Sequence, residues 1–246
     1  MARNILITND DGIEAGGLIR LAEAAREFGD VTVVAPTGEC SAASHSITLR
    51  HSLIVHPYDF PATGVKAFSC SGTPADCVRV ARRNLLAREP DVVFSGINRG
   101  YNMASDIQYS ATVAAAFEAE FQGYAAIAFS ESMNGVHEVT DRYLRELIEK
   151  LIDEPYVPGW VINVNFPGCS LSECKGILWD RKVSRAAYYV DHYNTVRRFS
   201  DGGAELMVEG VHEPVDEEGT DYAAILANYV SIGRVGNIGA DDHNAV

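Results

Sequence analysis

Short apolar runs alternate with segments of helical periodicity through the first two thirds of the chain. Residues 4–8 form one such run, and apolar side chains then recur at the spacing of one helix face, at Leu18, Leu21 and Ala25. A β-branched run follows at residues 31–34. The opening segment therefore predicts two parallel strands that are joined by a right-handed helical crossover.

The same alternation continues to residue 165. Further strands are predicted at residues 91–94, 125–129 and 160–164, and further helices at residues 110–121 and 139–152. Strands that alternate with helices specify a mostly parallel sheet with helices on both faces. We therefore expect an α/β protein in which residues 1–165 form a Rossmann-like, three-layer α/β/α core.

The last third of the chain has a different pattern. Residues 166–232 contain a strand-like run at residues 176–179 but no repeated strand–helix unit, which predicts a smaller, strand-containing C-terminal extension. Residues 233–246 are rich in Gly, Asn, Asp and His, a composition typical of a flexible tail. These patterns divide the chain into a core, an extension and a tail.

The chain is acidic. Its 246 residues include 20 Lys and Arg against 34 Asp and Glu, which gives a formal net charge of −14. This charge argues against a broad basic face for a nucleic acid duplex, because phosphate backbones are bound by clustered Lys and Arg. A phosphate ligand would therefore need a source of positive charge other than clustered Lys and Arg.

No apolar run approaches the roughly 20 residues needed to cross a membrane, and no signal-peptide pattern is seen, so we expect a cytoplasmic location.

Polar side chains collect where the predicted parallel strands end. They are Asn9, Asp10 and Asp11 after the first strand, Thr37, Cys40 and Ser41 after the second, and Asn98 and Asn102 after the strand at residues 91–94. Ligands bind at this edge of an open parallel sheet. Oxygen donors from Asp, Ser and Asn suit a hard cation such as Mg²⁺ or Mn²⁺, which also compensates two adjacent carboxylates. A solvated turn in which an Asp caps the next helix is the alternative interpretation of Asp10 and Asp11.

Ser110, Ala111 and Thr112 stand at the start of the Ala-rich predicted helix. The amide groups and the partial positive charge of a helix N-terminus bind phosphate without Lys or Arg. A simple N-cap is the competing interpretation of Ser110. Beside a bound cation, this helix start would complete a site for phosphoester hydrolysis. Asp10 and Asp11 would hold the cation, and one of them would orient or deprotonate the attacking water.

A series of short motifs occurs in order over residues 4–232. The motifs are ILITNDDG at 5–12, GGL at 16–18, VVAP at 33–36, SHSIT at 44–48, GTPADCV at 72–78, SGINRG at 95–100, NVNFP at 163–167, EGTD at 218–221 and YVS at 229–231. Together they resemble the SurE family, the stationary-phase survival proteins that act as metal-dependent 5′-nucleotidases. The resemblance implies a hydrolase of nucleoside 5′-monophosphates that forms homodimers or homotetramers through its C-terminal extension.

The resemblance also implies roles for individual residues. The family's metal ligands fall on Asp10, Asp11, Ser41 and Asn98. Its phosphate-binding positions fall on Asn102, Ser110, Ala111 and Thr112, and the loop that borders its active site includes Ser44, His45 and Ser46. This chain departs from the family pattern at two positions where glycine is usual, Ala42 and Ala111. Because an added methyl group can crowd a phosphate or exclude a positive φ angle, a nucleotide-binding homologue with reduced or lost turnover is the alternative to an active enzyme.

Two other enzyme classes fit the chain less well. Zinc deacetylases of the LmbE type also have an N-terminal strand that ends in paired Asp residues, but they need a nearby histidine, and residues 1–28 contain none. A dinucleotide oxidoreductase is disfavoured because the first turn has no G-x-G-x-x-G sequence.

Overall fold

The structure, a computed structural model, describes residues 2–212, 217–238 and 240. Its strands are β1 (Arg3–Thr8), β2 (Gly29–Pro36), β3 (Val55–Tyr58), β4 (Lys66–Cys70), β5 (Val92–Arg99), β6 (Ala125–Glu131), β7 (Trp160–Phe166), β8 (Ile177–Leu178), β9 (Tyr189–Arg198), β10 (Ala204–His212) and β11 (Val230–Gly236). Its α-helices are α1 (Gly16–Ala25), α2 (Pro74–Val80), α3 (Ala111–Phe121), α4 (Glu138–Leu151) and α5 (Asp221–Leu226). A π-helical turn (Ala81–Leu85) extends α2, and a 3₁₀ turn (Ala104–Tyr109) precedes α3.

Nine strands of the described chain form one sheet, in the order β3-β4-β2-β1-β5-β6-β7-β11-β8. β3 runs antiparallel to β4, and β11 runs antiparallel to β7, whereas the other neighbouring strands are parallel. The predicted α/β fold with a mostly parallel sheet is therefore confirmed. The five predicted core strands correspond to β1, β2, β5, β6 and β7.

Alternate residues of β1 face opposite layers of the protein. Ile5 and Ile7 pack against α1 and α4, where Leu18 belongs to the same core. Leu6 packs on the other face of the sheet, against α2 and α3, and Ala115 of α3 belongs to the same core. Because successive strand side chains point to opposite faces, an unbroken apolar run is what a strand covered on both sides requires. The core thus lies on both faces of the sheet, as a three-layer fold requires.

The C-terminal segment contributes two strands to the main sheet. β11 pairs with β7, and β8 pairs with β11, so both strands belong to the main sheet. The prediction of a flexible tail is wrong for residues 233–236, because their backbone pairs with β7 and Val235 is buried. Residue 239 and residues 241–246 of the predicted tail lie outside the described residues. A domain boundary at residue 165 remains a prediction.

β9 and β10 form a separate, two-stranded antiparallel sheet. Their side chains are exposed almost throughout, including large apolar ones such as Tyr193 and Met207. A two-stranded hairpin by itself is at most marginally stable in water. Exposed apolar groups on such a hairpin are typical of a surface that contacts another molecule.

The helices differ in how they are buried. α4 is amphipathic and buries one face that includes Leu144 and Leu147, whereas α3 is buried on nearly all sides.

No helix of the described residues is long and apolar enough to span a membrane. The cytoplasmic location expected from the sequence stays a prediction.

Candidate metal and phosphate site

The carboxyl ends of β2, β1 and β5 lie side by side, because these strands are neighbours in the sheet. Asp10 and Asp11 follow β1, and Asn98 is the penultimate residue of β5. The Cys40 N–H donates a hydrogen bond of 2.7 Å to the Asp10 carbonyl, which ties the loop after β2 to the same edge. Ser41 is the next residue of that loop. All four predicted metal ligands therefore belong to one edge of the sheet.

Asp10 is a buried carboxyl group that is 4% exposed. Thr112 Oγ1 donates a hydrogen bond of 2.5 Å to its Oδ1. Burial raises the pKa of Asp10 from its usual 3.8 to about 6; hydrogen bonds from Thr112 oppose the increase, and the charge of Asp11 adds to it. The ionised form of Asp10 is therefore disfavoured unless a cation lies beside it.

Asp11 is less buried than Asp10, and its Oδ2 accepts a hydrogen bond of 2.9 Å from the Arg99 backbone N–H. Burial raises the pKa of Asp11 as well. The hydrogen bond and the charge of Arg99 lower it, while the negative charges of Glu39 and Glu131 act in the opposite direction. Two adjacent carboxyl groups that both resist ionisation are stabilised in their charged form by a divalent cation.

The other two predicted ligands also have the chemistry of a hard-cation site. Asn98 donates from its Nδ2 to the Gly100 carbonyl at 2.8 Å, so its amide oxygen is the atom that a cation would use. Ser41 is exposed, and its Oγ donates to Glu39 Oε1 at 2.6 Å. Within the described part of the chain, no three His, Cys, Asp or Glu side chains form a metal cluster. An ion here would thus need amide and hydroxyl oxygens besides the two carboxylates, a set that fits Mg²⁺ or Mn²⁺.

The N-terminus of α3 lies beside Asp10. Ser110 is the N-cap of the helix, and its Oγ accepts a hydrogen bond of 3.0 Å from the Val113 N–H. Ala111 is fully buried at the first helical position. Because Thr112 binds Asp10, the partial positive end of the helix faces the carboxyl groups. A phosphate beside a cation on Asp10 would therefore meet the amides of this helix start.

Asn102 is held in a buried amide network. Its N–H donates to Asn165 Oδ1 at 2.9 Å, and its carbonyl accepts from Asn163 Nδ2 at 2.7 Å and from Asn165 Nδ2 at 3.0 Å. Its own Nδ2 donates to Ser130 Oγ at 2.7 Å. These partners belong to β6 and β7, so Asn102 is fixed over those strands rather than over β1. Its contact with a phosphate stays a prediction.

Asn163 and Asn165 orient Asn102, a role that was not predicted from the sequence. They stand two residues apart at the carboxyl end of a predicted strand. Residues i and i+2 of a strand point to the same side, so both amides face one partner. This spacing, at the edge of the sheet where ligands bind, is the signal that could have identified them.

The loop after β2 is fastened to the elements around it. The Ser44 N–H donates to the Tyr109 carbonyl at 3.1 Å, and Ser44 Oγ donates to the Gln108 carbonyl at 2.8 Å. Ser46 is exposed, and its carbonyl accepts a hydrogen bond of 2.7 Å from Thr73 Oγ1. Ser44 therefore lies next to the turn that leads into α3, whereas Ser46 contacts the start of α2.

His45 binds the far half of α3. Its Nε2 lies 3.0 Å from Glu118 Oε2, and its ring stacks on Phe121 with the ring centres 5.7 Å apart. Glu118 follows the first residue of α3 by seven positions, which is about 10 Å along a helix axis. The side chain of His45 thus anchors the loop to the helix, and its place in a substrate pocket stays a prediction.

Ala42 has a left-handed backbone conformation with a φ of 55°. The alanine that replaces the family's usual glycine at this position therefore does not exclude a positive φ angle. The conformation costs a non-glycine residue about 1–2 kcal/mol, because the Cβ approaches the following carbonyl oxygen.

We expect Ala42→Gly to leave the protein equally stable or more stable by up to about 1 kcal/mol. Glycine removes the left-handed strain but gives the unfolded chain more freedom, so the two effects partly cancel. Urea denaturation measures the change. Ala43→Gly is the matched control, because Ala43 has no positive φ, and it should lose about 0.4–1 kcal/mol. Equal losses from the two substitutions would contradict the strain at Ala42.

A cleft of about 600 Å³ opens beside Asp11. Arg20, Arg99, Glu131 and His137 are among its lining residues. Arg20 forms an ion pair with Glu131, whose Oε2 lies 3.1 Å from His137 Nδ1. Arg99 is exposed at the same cleft and places a positive charge next to the carboxyl groups. Arg99 belongs to the SGINRG motif, but the motif alone did not identify it as a functional residue.

The fold and the site define a class of protein: a Rossmann-like α/β protein with an acidic, oxygen-rich site and a helix N-terminus at the carboxyl edge of its sheet. Residues 5–188 match the family model described as Survival protein SurE. The chain therefore belongs to the SurE family, and the resemblance seen in its motifs is confirmed.

Individual relatives extend the match to nearly the whole chain. The 5′-nucleotidase SurE of Clostridium botulinum strain Kyoto is 40% identical over 238 residues, which cover 93% of this chain and 91% of the relative. The 5′-nucleotidase SurE of Clostridium botulinum strain 657 is 40% identical over 239 residues, with the same coverage of 93% and 91%. The crystal structure of the SurE protein from Aquifex aeolicus has a TM-score of 0.79 at 34% identity and covers 95% of this chain and 93% of its own.

Proposed function

We propose that this chain is a divalent-metal-dependent phosphomonoesterase that hydrolyses nucleoside 5′-monophosphates to nucleoside and phosphate. The observation that carries the proposal is the hydrogen bond from Thr112 Oγ1 to Asp10 Oδ1, because it joins the paired carboxyl groups to a helix N-terminus. This contact supports a cation site and a phosphate site that lie next to each other. Relatives named 5′-nucleotidase SurE support the same activity.

Different residues of the site have different roles in phosphoester hydrolysis. Asp10, Asp11, Ser41 and Asn98 would hold a divalent cation, Mg²⁺ or Mn²⁺. When bound, such a cation supplies Lewis acidity for the transfer of a phosphoryl group to water. Asp10 or Asp11 orients or deprotonates the attacking water. The amides at the start of α3 and the guanidinium of Arg99 oppose the negative charge of the phosphate.

Phosphate release from AMP and GMP tests this function. The purified protein should release phosphate with Mg²⁺ or Mn²⁺, lose the activity in EDTA, and regain it when the cation is restored in excess. Asp11→Asn should lower kcat/KM by at least about 100-fold, because it removes one of the two charges that hold the cation. Activity that persists in EDTA, or an unchanged Asp11→Asn variant, would rule out the mechanism.

We also infer that the chain forms homodimers or homotetramers and that its C-terminal extension takes part in the contact. The hairpin of β9 and β10 supports this inference, because large apolar side chains are more than half exposed on it, at Tyr193, Val196, Leu206, Met207 and Val208. Burial of such a surface by a second copy is favourable, since it removes apolar area from water.

A further inference from the structure

Glu118 is a buried carboxyl group that no step of the proposed hydrolysis uses. It lies in α3 and is 5% exposed. Its Oε2 lies 3.0 Å from His45 Nε2, and its Oε1 accepts hydrogen bonds from Arg79 Nη1 at 3.1 Å and from Gln122 Nε2 at 2.8 Å. A buried carboxylate with three partners is held in one orientation.

These partners favour the ionised form of Glu118. Burial opposes its charge, but hydrogen bonds from His45 and Gln122 and the charge of Arg79 hold the pKa of Glu118 below its usual range. A hydrogen bond to an ionised group is stronger than one between neutral groups. The His45 ring also stacks on Phe121, with 13° between the ring planes. The ring of His45 is therefore fixed on α3 by two contacts.

His45 belongs to the metal loop, which we define as residues 40–48, and this loop has no helix or strand of its own. Near its start the Cys40 N–H binds the Asp10 carbonyl, and in its middle Ser44 binds the turn before α3. A loop without secondary structure is ordered by its contacts with neighbouring elements. The contact of His45 with α3 therefore contributes to the order of the whole metal loop.

The geometry points to Glu118 as a positioning residue for the proposed metal site. Acting through His45, it holds the metal loop against α3 and so keeps the Ser41 hydroxyl at the edge of the sheet that carries Asp10. Glu118 stands about two helical turns from the start of α3, so it acts through the loop and not on the substrate. The inference rests on the proposed function, since it requires that the site binds a divalent cation.

Binding of Mn²⁺ to the full-length protein, measured by isothermal titration calorimetry, tests the inference without turnover. Glu118→Ala and His45→Ala should each weaken Mn²⁺ binding about 10-fold, as is usual for residues that orient a metal ligand. The Mn²⁺ concentration for half-maximal activity should rise by the same factor in both variants. In Glu118→Ala, whose residue lies outside the predicted pocket, kcat at saturating Mn²⁺ should change less than about two-fold. The double variant should bind no more weakly than either single variant, because both substitutions remove one anchor.

Arg79→Ala is the matched control, because it removes another partner of Glu118 and leaves the contact between Glu118 and His45 in place. Its Mn²⁺ affinity should stay within about two-fold of the wild type. His45→Ala decides the matter if Glu118→Ala does not fold, since the His45 side chain is 28% exposed. The inference would be overturned if His45→Ala bound Mn²⁺ as tightly as the wild type, or if Arg79→Ala lost as much Mn²⁺ affinity as Glu118→Ala. It would also be overturned if the double variant lost the product of the two single-variant factors in Mn²⁺ affinity. A wild-type protein that binds no Mn²⁺ would instead overturn the proposed function, and this inference with it.

Discussion

Replacing Asp10 with asparagine should abolish metal-dependent phosphate release and still leave the metal-free protein at least as stable as the wild type. Asparagine keeps an oxygen that accepts the hydrogen bond from Thr112 Oγ1, but it lacks the charge that a divalent cation needs. We expect kcat/KM to fall by a factor on the order of 1000 or more.

The effect on stability has the opposite sign, because Asp10 is costly when it is ionised. Its pKa of about 6 in the folded protein lies above the 3.8 of an ordinary aspartate. The native state therefore binds the proton more tightly than the unfolded state. This contribution to stability is complete below pH 3.8 and is lost as the pH rises through about 6. The shift corresponds to roughly 3 kcal/mol at most, a cost that asparagine avoids.

Thermal denaturation in EDTA at pH 5 and pH 8 measures this effect, and the advantage of Asp10→Asn should be larger at pH 8. Mn²⁺ should raise the Tm of the wild type but not that of the variant, since a ligand stabilises only the state that binds it. Asp59→Asn is the control, because Asp59 is exposed and lies outside the site. A variant that is destabilised without metal, or that keeps EDTA-sensitive activity, would contradict the role assigned to Asp10.

Thr112→Val should lower kcat/KM by about 100-fold, because it removes the hydroxyl group that orients Asp10. Thr112 is fully buried, and valine has nearly the same shape. The lost hydrogen bond also stabilises the ionised carboxylate, so its removal raises the pKa of Asp10 further and weakens the binding of a cation. The hydrogen bond to a charged group contributes about 1.5–3 kcal/mol of stability when Asp10 is ionised.

Steady-state kinetics at several Mn²⁺ concentrations separates the expected loss of metal affinity from a loss of kcat. Thr112→Ser is the matched control, because it keeps the hydroxyl group and removes only the methyl group, and it should retain most of the activity. Equal losses in the serine and valine variants would show that the methyl packing matters and the hydrogen bond does not. Wild-type kinetics in Thr112→Val would show that Asp10 needs no such donor.

The central strands were predictable because each one is apolar on both faces. The run from Ile5 to Ile7 has no polar interruption, since α1 and α4 cover one face of β1 and α2 and α3 cover the other. The position of Asp10 and Asp11 at the carboxyl edge follows from the parallel direction of the strands alone. Local pattern and strand direction are both written in the sequence, so these features needed no coordinates.

The contacts between distant segments were not predictable in this way. The phosphate-binding role of Thr112 stays a prediction, whereas the contact of its hydroxyl with Asp10, which lies 102 positions earlier, is seen only in the structure. A tail that begins at residue 233 would divide β11, which lies in the main sheet between β7 and β8. Its Gly-containing sequence, VSIGRVG, has no strong strand pattern, and a partner strand compensates for that weakness.

The sequence by itself determined the class of fold, the edge of the sheet at which Asp10 and Asp11 lie, and the family to which the chain is similar. These depend on the periodicity of side chains and on short motifs, which are local properties. Only the tertiary structure decided that Thr112 binds Asp10 and that Glu118 holds His45. Such pairs form because packed helices and strands bring distant side chains within hydrogen-bonding distance, and no local pattern encodes which partner each polar group will meet.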